Sequence, residues 1–134
     1  MLRRWLMRFT DFGMLLYWSV TVLMALGLVS IPGEMLFKDY HDARVMAWNW
    51  SFLPLDILLS VTGLLALRME AAGDARWRVM AAVSLSLTVC AGLMAISYWL
   101  LVRDFDASWW IPNLFLMLWP LPFLYQWSCE ARCV

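Results

Sequence analysis

Charged residues are scarce in this sequence of 134 residues. Asp, Glu, Lys and Arg together make up 15% of the chain, whereas about 25% is usual for a soluble domain. The net charge is zero, and no run of basic residues is longer than two. Because nucleic-acid binding depends on clustered Lys and Arg, this composition excludes a nucleic-acid partner.

Residues for metal, cofactor and catalytic chemistry are also few. The three cysteines form no CxxC pair, so neither a zinc site nor a disulfide framework is indicated. Cys90 lies in an apolar stretch and is expected in the core. The single histidine, His41, excludes a haem held by two histidines and is typical of a solvated loop. We therefore expect no metal, no cofactor and no catalytic residue, and an enzyme is the least favoured class.

What the sequence does contain is long apolar stretches, and 64% of its residues are hydrophobic. Four stretches are bounded by charged residues, and only one of them contains a charge, Asp56. Each is close to the roughly 20 residues needed to cross a bilayer. The sequence predicts transmembrane spans at about residues 12–33, 45–67, 79–102 and 107–129.

The predicted fold is therefore all-α, an integral membrane four-helix up-down bundle that forms a single transmembrane domain over residues 1–134. The Pro32-Gly33 pair is expected to end the first helix. Lys and Arg accumulate on cytoplasmic flanks, and seven of ten lie on one side. The seven are Arg3, Arg4, Arg8, Arg68, Arg76, Arg78 and Arg132, and the three are Lys38, Arg44 and Arg103. Both termini are thus predicted to be cytoplasmic, in a multi-pass protein of the bacterial cell membrane.

Asp56 lies at the centre of the second predicted span. It is twelve residues from both Arg44 and Arg68, or about 18 Å at the helical rise. A charged carboxylate there costs roughly 2.5–3.5 kcal/mol, while an interhelical polar bond returns only about 0.6 kcal/mol. A purely structural role, in which Asp56 clamps neighbouring helices, is therefore less favoured than a functional one.

Other polar residues are expected near Asp56. Asn49, Ser60 and Gly63 share its helix face. Pro54 and Pro120 are expected to break their helices, so that both helices border one cavity. The candidate ligand site comprises Asp56, Asn49, Ser60, Tyr17, Tyr98, Asn113 and Trp119, with Thr21 and Ser97 as further candidate partners.

Small residues form a stripe in the third predicted span. Ser84, Thr88, Gly92 and Ala95 follow one another at spacings of four, four and three. Such a stripe allows close helix approach. It predicts a packing face, either within the bundle or across a homodimer.

Two segments carry a resemblance to a known family. Residues 47–56, with the letters AWNWSFLPLD, and residues 111–117, with IPNLFLM, resemble the YvaD-like family of small bacterial membrane proteins, as does Phe37-Lys38-Asp39-Tyr40. The resemblance covers nearly the whole chain. It implies a bacterial protein with four spans and implies no catalytic residue.

Three functional hypotheses follow. The leading one is non-enzymatic binding of a small lipophilic or cationic ligand in an intramembrane cavity around Asp56, with membrane lipid as the surrounding partner. The second is a small dimeric proton-coupled transporter, because a membrane carboxyl group can cycle a proton. The third is an accessory subunit of a membrane complex that uses the small-residue stripe.

Overall fold

The structure, a computed structural model, describes residues 1–130. All regular structure among these residues is helical, which confirms the predicted all-α class. In chain order the helices are α1 (Leu2–Ala25), a short 3-10 helix (Gly33–Met35), α2 (Ala43–Ser51), α3 (Leu53–Ala71), α4 (Trp77–Val102), α5 (Ala107–Leu118) and α6 (Leu121–Glu130). Arg132 and Cys133 lie outside the described residues.

The helices form four rods, α1, α2–α3, α4 and α5–α6, joined in an up-down order. α3 packs on both α1 and α4, and α4 packs on α5. We call the end that holds residues 1 and 130 and the turn 72–76 the terminal end. The opposite end, with the connections 26–42 and 103–106, is called the loop end.

Two of the four rods are long and apolar enough to cross a membrane, by length and composition alone. They are Ala43–Ala71, with 29 residues, and Trp77–Val102, with 26. α1 is less apolar because its first ten positions carry Arg3, Arg4, Arg8 and Asp11. The fourth rod is interrupted between α5 and α6.

The first helix ends earlier than the sequence predicts. Its last residue is Ala25, so residues 26–33 of the predicted first span are not in α1. Gly27 has φ +71° and its amide donates to the Met24 carbonyl at 2.9 Å. A left-handed glycine after the last turn is a common helix terminator, and here it acts before Pro32 is reached.

The two predicted proline breaks lie at separate depths of the bundle. Phe52 divides α2 from α3, and Pro54 is the second residue of α3, where the helix needs no donor from it. Residues 119 and 120 divide α5 from α6. Each break leaves a rod whose two halves can differ in direction.

Ion pairs tie both ends of the bundle together. At the terminal end Arg3 lies 2.5 Å and Arg4 3.1 Å from the Glu70 carboxylate. Two basic side chains therefore share one carboxylate at this end of the bundle. At the loop end Lys38 pairs with Asp104, and this hydrogen bond raises the pKa of Lys38.

The interior has two apolar clusters with polar residues between them. The cluster near the terminal end contains Met7, Ala66, Ala81 and Leu85. The cluster near the loop end contains Trp18, Phe52 and Ala95. The buried polar residues are Thr10, Asp11, Thr21, Asn49, Asp56, Ser60, Ser84 and Thr88.

The small-residue stripe packs inside the chain. Ser84, Thr88, Gly92 and Ala95 are all buried, and the Ser84 hydroxyl donates to the Leu59 carbonyl at 2.9 Å. A Cβ on Gly92 would lie only 2.5 Å from the Asn113 carbonyl oxygen. The stripe therefore packs α4 against α3 and α5, and in this arrangement it offers no free surface to a second copy.

One expected core residue is not in the core. Cys90 was expected to be buried because it lies in an apolar stretch, but the structure shows it exposed on α4. The apolar stretch reflects a helix that is hydrophobic on all sides, so position within it does not predict burial.

Candidate functional site

A cavity of about 510 Å³ lies near the loop end. Its walls come from α1, α2, α3, α4 and α5, together with the 3-10 helix. The aromatic lining residues are Tyr17, Trp18, Trp48, Phe52 and Trp109, and the polar ones are Glu34, Asn49, Asp56, Ser108 and Asn113. This volume is within the roughly 300–1,000 Å³ of small-molecule pockets.

Asp56 forms the deep polar group of the cavity. Only 5% of its surface is exposed. The Trp18 indole N–H donates to its Oδ2 atom at 2.8 Å, and Oδ1 is buried with no protein partner. Asp56 lies in the first turn of α3, one turn after Phe52. One carboxylate oxygen is thus fixed and the other remains available.

Asn49 and Tyr17 form a second polar contact on the same side. The Tyr17 hydroxyl donates to Asn49 Oδ1 at 3.0 Å, while the Asn49 amide nitrogen is buried without a partner. Thr21 bonds to the Tyr17 carbonyl at 2.8 Å and so turns back onto its own helix. Like Asp56, Asn49 therefore offers an unpaired polar atom at the cavity.

Asn113 reaches the cavity from the opposite side. It lines the cavity on α5, and its amide group donates to the Trp109 carbonyl at 2.8 Å. This local bond leaves its side-chain oxygen as the group that can accept from a ligand. Of the seven predicted site residues, four line the cavity together: Asp56, Asn49, Tyr17 and Asn113.

Three predicted site residues lie outside the cavity. Ser60 is fully buried one turn beyond Asp56. Tyr98 stacks on Trp48, with ring centroids 4.1 Å apart, and so supports the wall from behind. Trp119 packs against the apolar cluster near the terminal end. Residue spacing along each helix predicted the depth of these three side chains poorly, because depth also depends on how the helices pack and where they are interrupted.

The electrostatics of the cavity favour a cation. Its described lining contains the carboxylates of Asp56 and Glu34 and no Lys or Arg. The indole rings of Trp48 and Trp109 also line it, and the face of an indole ring attracts positive charge. This lining is chemically compatible with a hydrophobic molecule that carries a positive charge.

The single histidine and an aspartate at the loop end make contacts with other residues of the chain. His41 lies 2.8 Å from Glu34, both largely exposed, while Asp106 caps α5 through the Ser108 amide at 2.8 Å. The side-chain and backbone bonds from Ser108 lower the pKa of Asp106. Residues 1–130 contain no group of three His, Cys, Asp or Glu side chains positioned to hold a metal ion.

A family profile, described as a family of unknown function (DUF5360), matches residues 3–132. The chain belongs to this family. It is also similar to "Uncharacterized protein YvaD" of Bacillus subtilis (strain 168), with 44% identity over 123 residues, which cover 92% of this chain and 89% of that protein. No solved structure matches the chain. The predicted YvaD-like family is thereby confirmed, and neither comparison supplies an activity.

Two residues of structural interest are not predicted by the sequence. Trp18 is the donor that fixes Asp56, and Asp11 is a second carboxylate with only 1% of its surface exposed. Asp11 lies one residue before the first predicted span, residues 12–33. A signal was present, because Arg4, Asp11 and Trp18 recur every seven residues, as do Asp56, Gly63 and Glu70.

Proposed function

We propose that this protein is a multi-pass protein of the bacterial cell membrane that binds a lipophilic cation in the cavity beside Asp56. The main observation behind this proposal is that one buried oxygen of Asp56 has no hydrogen-bond partner in the protein. Asp56 lines an aromatic cavity whose described lining has no basic side chain. A hydrophobic molecule with one positive group matches both the carboxylate and the aromatic lining of this cavity.

The distribution of polar and apolar residues supports the membrane part of the proposal. Large apolar side chains in the middle of the rods are exposed, such as Leu16 at 66%, Val61 at 52% and Leu93 at 50%. Eight polar or charged residues are buried instead. Exposed apolar patches of this extent call for an apolar surrounding, which a bilayer supplies. Only helices and closed barrels can cross a bilayer, and this chain is helical.

The distribution of basic residues supports the orientation. Arg3, Arg4, Arg8, Arg68, Arg76 and Arg78 belong to the terminal end, and Lys38, Arg44 and Arg103 belong to the loop end. Because the side richer in Lys and Arg stays in the cytoplasm, the terminal end faces the cytoplasm. The cavity then lies in the outer half of the membrane.

The geometry around Asp56 supports an amine or another cationic group as the bound centre. Its Oδ2 is held by Trp18, so the carboxylate cannot turn away, and Oδ1 is left to pair with the ligand. The ring faces of Trp48 and Trp109 can contact the same positive charge. The apolar remainder, which includes Met14, Ala95 and Leu116, suits the body of a hydrophobic ligand.

The test is cation-dependent stabilisation of the purified protein in lipid nanodiscs, with tetraphenylphosphonium as the probe. A concentration of 100 times Kd raises the free energy of unfolding by about 2.7 kcal/mol. Asp56→Asn should weaken binding more than tenfold, because one partner of a buried charge pair is lost. Asp74→Asn, the same change in the exposed α3–α4 turn, should bind like the wild type. Equal stabilisation of all three proteins contradicts the proposal.

A further inference from the structure

A second buried carboxyl group lies outside the cavity, in the interface between α1 and α3. Asp11 is on α1 and faces Gly63 of α3. Its Oδ2 atom is buried with no hydrogen-bond partner in the protein. A Cβ at position 63 would overlap this carboxylate, so the absent glycine side chain is what makes room for it. Asp11 does not line the cavity described above.

The surroundings of Asp11 contain hydroxyl groups that also lack partners. Ser60 is fully buried, and Thr10 is 4% exposed. The Oγ atoms of both are without a hydrogen-bond partner in the protein. Ser60 lies four residues after Asp56 and three before Gly63, so it shares one face of α3 with both positions. Buried polar atoms are normally satisfied, so this group of atoms indicates a place where protons or water are accepted.

The contacts between α1 and α3 repeat every seven residues. Arg4 pairs with Glu70, Asp11 meets Gly63, and the Trp18 indole bonds to Asp56. Seven residues correspond to about 10.5 Å along a helix. The two carboxyl groups are therefore on one continuous interface, with the ion pair of the terminal end on the far side of Asp11.

The charged groups near Asp11 leave it without a cationic partner. On α1 the nearest is Arg8, which is exposed and lies over the Trp5 ring at 5.9 Å. On α3 the nearest charged residues of the same helix face are Asp56 and Glu70, which lie seven residues before and after Gly63. Residues 79–102 of α4 and 107–118 of α5 carry no charge. Glu130 of α6 pairs with Arg78.

We propose that Asp11 is a proton-binding site that is linked to the cavity, so that binding of a cation at Asp56 releases a proton from Asp11. A buried carboxyl group without a cationic partner is held neutral by a proton. The negative charge of Asp56 further favours the protonated form of Asp11. The proton site stands on the geometry of Asp11 alone, whereas the linkage rests on the proposed binding function.

The size of the linkage follows from the separation. Two charges about 10.5 Å apart at an effective dielectric constant of about 20 shift a titration by about one pH unit. When a bound cation neutralises Asp56, the repulsion that favours protonated Asp11 is removed. The acid O–H bond of Asp11 then breaks, and its proton passes to water and the buffer.

Infrared spectroscopy tests the proton site without any ligand. The full chain in lipid membranes at neutral pH should show the C=O stretch of a protonated carboxyl group, which Asp11→Asn removes and Asp74→Asn keeps. Incorporation of isotope-labelled aspartate into the otherwise unchanged protein should shift the band, which assigns it to an aspartate side chain. Absence of the band from the wild type, or its persistence in Asp11→Asn, overturns the site.

Calorimetry tests the linkage. Titration with tetraphenylphosphonium in two buffers of different ionisation heat should show proton release by the wild type. Asp11→Asn should bind the cation without releasing protons. Release that persists in Asp11→Asn overturns the linkage. If the wild type shows the infrared band but does not bind the cation, the proposed binding function and the linkage fail together, while the proton site stands.

Discussion

Gly63 shows how one missing side chain allows a carboxyl group to be buried. It lies on α3 against Asp11 of α1, at the point where a Cβ would overlap the carboxylate. Asp11 could not pack there beside a larger residue. One oxygen of the Asp11 carboxylate has no hydrogen-bond partner in the protein. Asp11 therefore contacts Gly63 through complementary shape, and this oxygen is available to bind a proton.

Gly63→Ala is expected to lower the free energy of unfolding by about 1–3 kcal/mol, the usual cost of overpacking. Gly13→Ala is the matched control, because a Cβ there meets nothing within 4 Å, and it should be neutral or stabilise by up to about 1 kcal/mol. Thermal unfolding in nanodiscs measures both. In an Asp11→Ala background the cost at Gly63 should fall, and an unchanged cost would mean that the overlap with Asp11 is not its cause.

At this scale the sequence predicts some site residues and misses others for identifiable reasons. Asp56 stands out because it is the one charge in a long apolar stretch, and Asn49 follows from helix periodicity. Asp11 was missed because it follows Arg8 and could end an apolar stretch as easily as lie inside the protein. Its burial depends on the offset between α1 and α3, which no local pattern determines.

Helix ends were predicted with uneven success. The break before α3 lies near Pro54, and the break after α5 lies at Pro120. The end of α1 was predicted at Pro32 but occurs at Ala25. A proline at position 32 would interrupt the helix, but Gly27 with φ +71° ends it sooner by adopting a conformation that most other residues avoid.

The connections of the helices give a test of the proposed orientation. In a chain whose native cysteines are replaced, His41→Cys in the connection 26–42 should react with a membrane-impermeant maleimide in intact cells. Ala75→Cys, in the turn between α3 and α4, should react only after the membrane is opened. Both positions are exposed, so access to the reagent is the difference between them. Labelling of both in intact cells, or the reverse order, would contradict the orientation.

At the scale of the whole molecule, several polar side chains are buried beside the apolar clusters while many large apolar side chains are exposed. Thr10, Asp11, Asp56, Ser60 and Thr88 are buried, while large apolar side chains cover the outer faces of the rods. The composition alone predicts this arrangement, because a chain with 64% hydrophobic residues cannot bury most of them within 134 residues. The position of the cavity was not predictable, because it depends on how α1, α3 and α5 are arranged around it.

The most direct test of the account is the position of a bound cation. Crystals grown with tetraphenylarsonium would locate the arsenic atom by its anomalous scattering. We expect it in the cavity beside Asp56, within about 6 Å of the ring of Trp48 or Trp109. Arsenic in the apolar groove outside α1 and α3, lined by Leu15, Val22 and Ile57, or no ordered arsenic in crystals of the saturated protein, would contradict the proposed site.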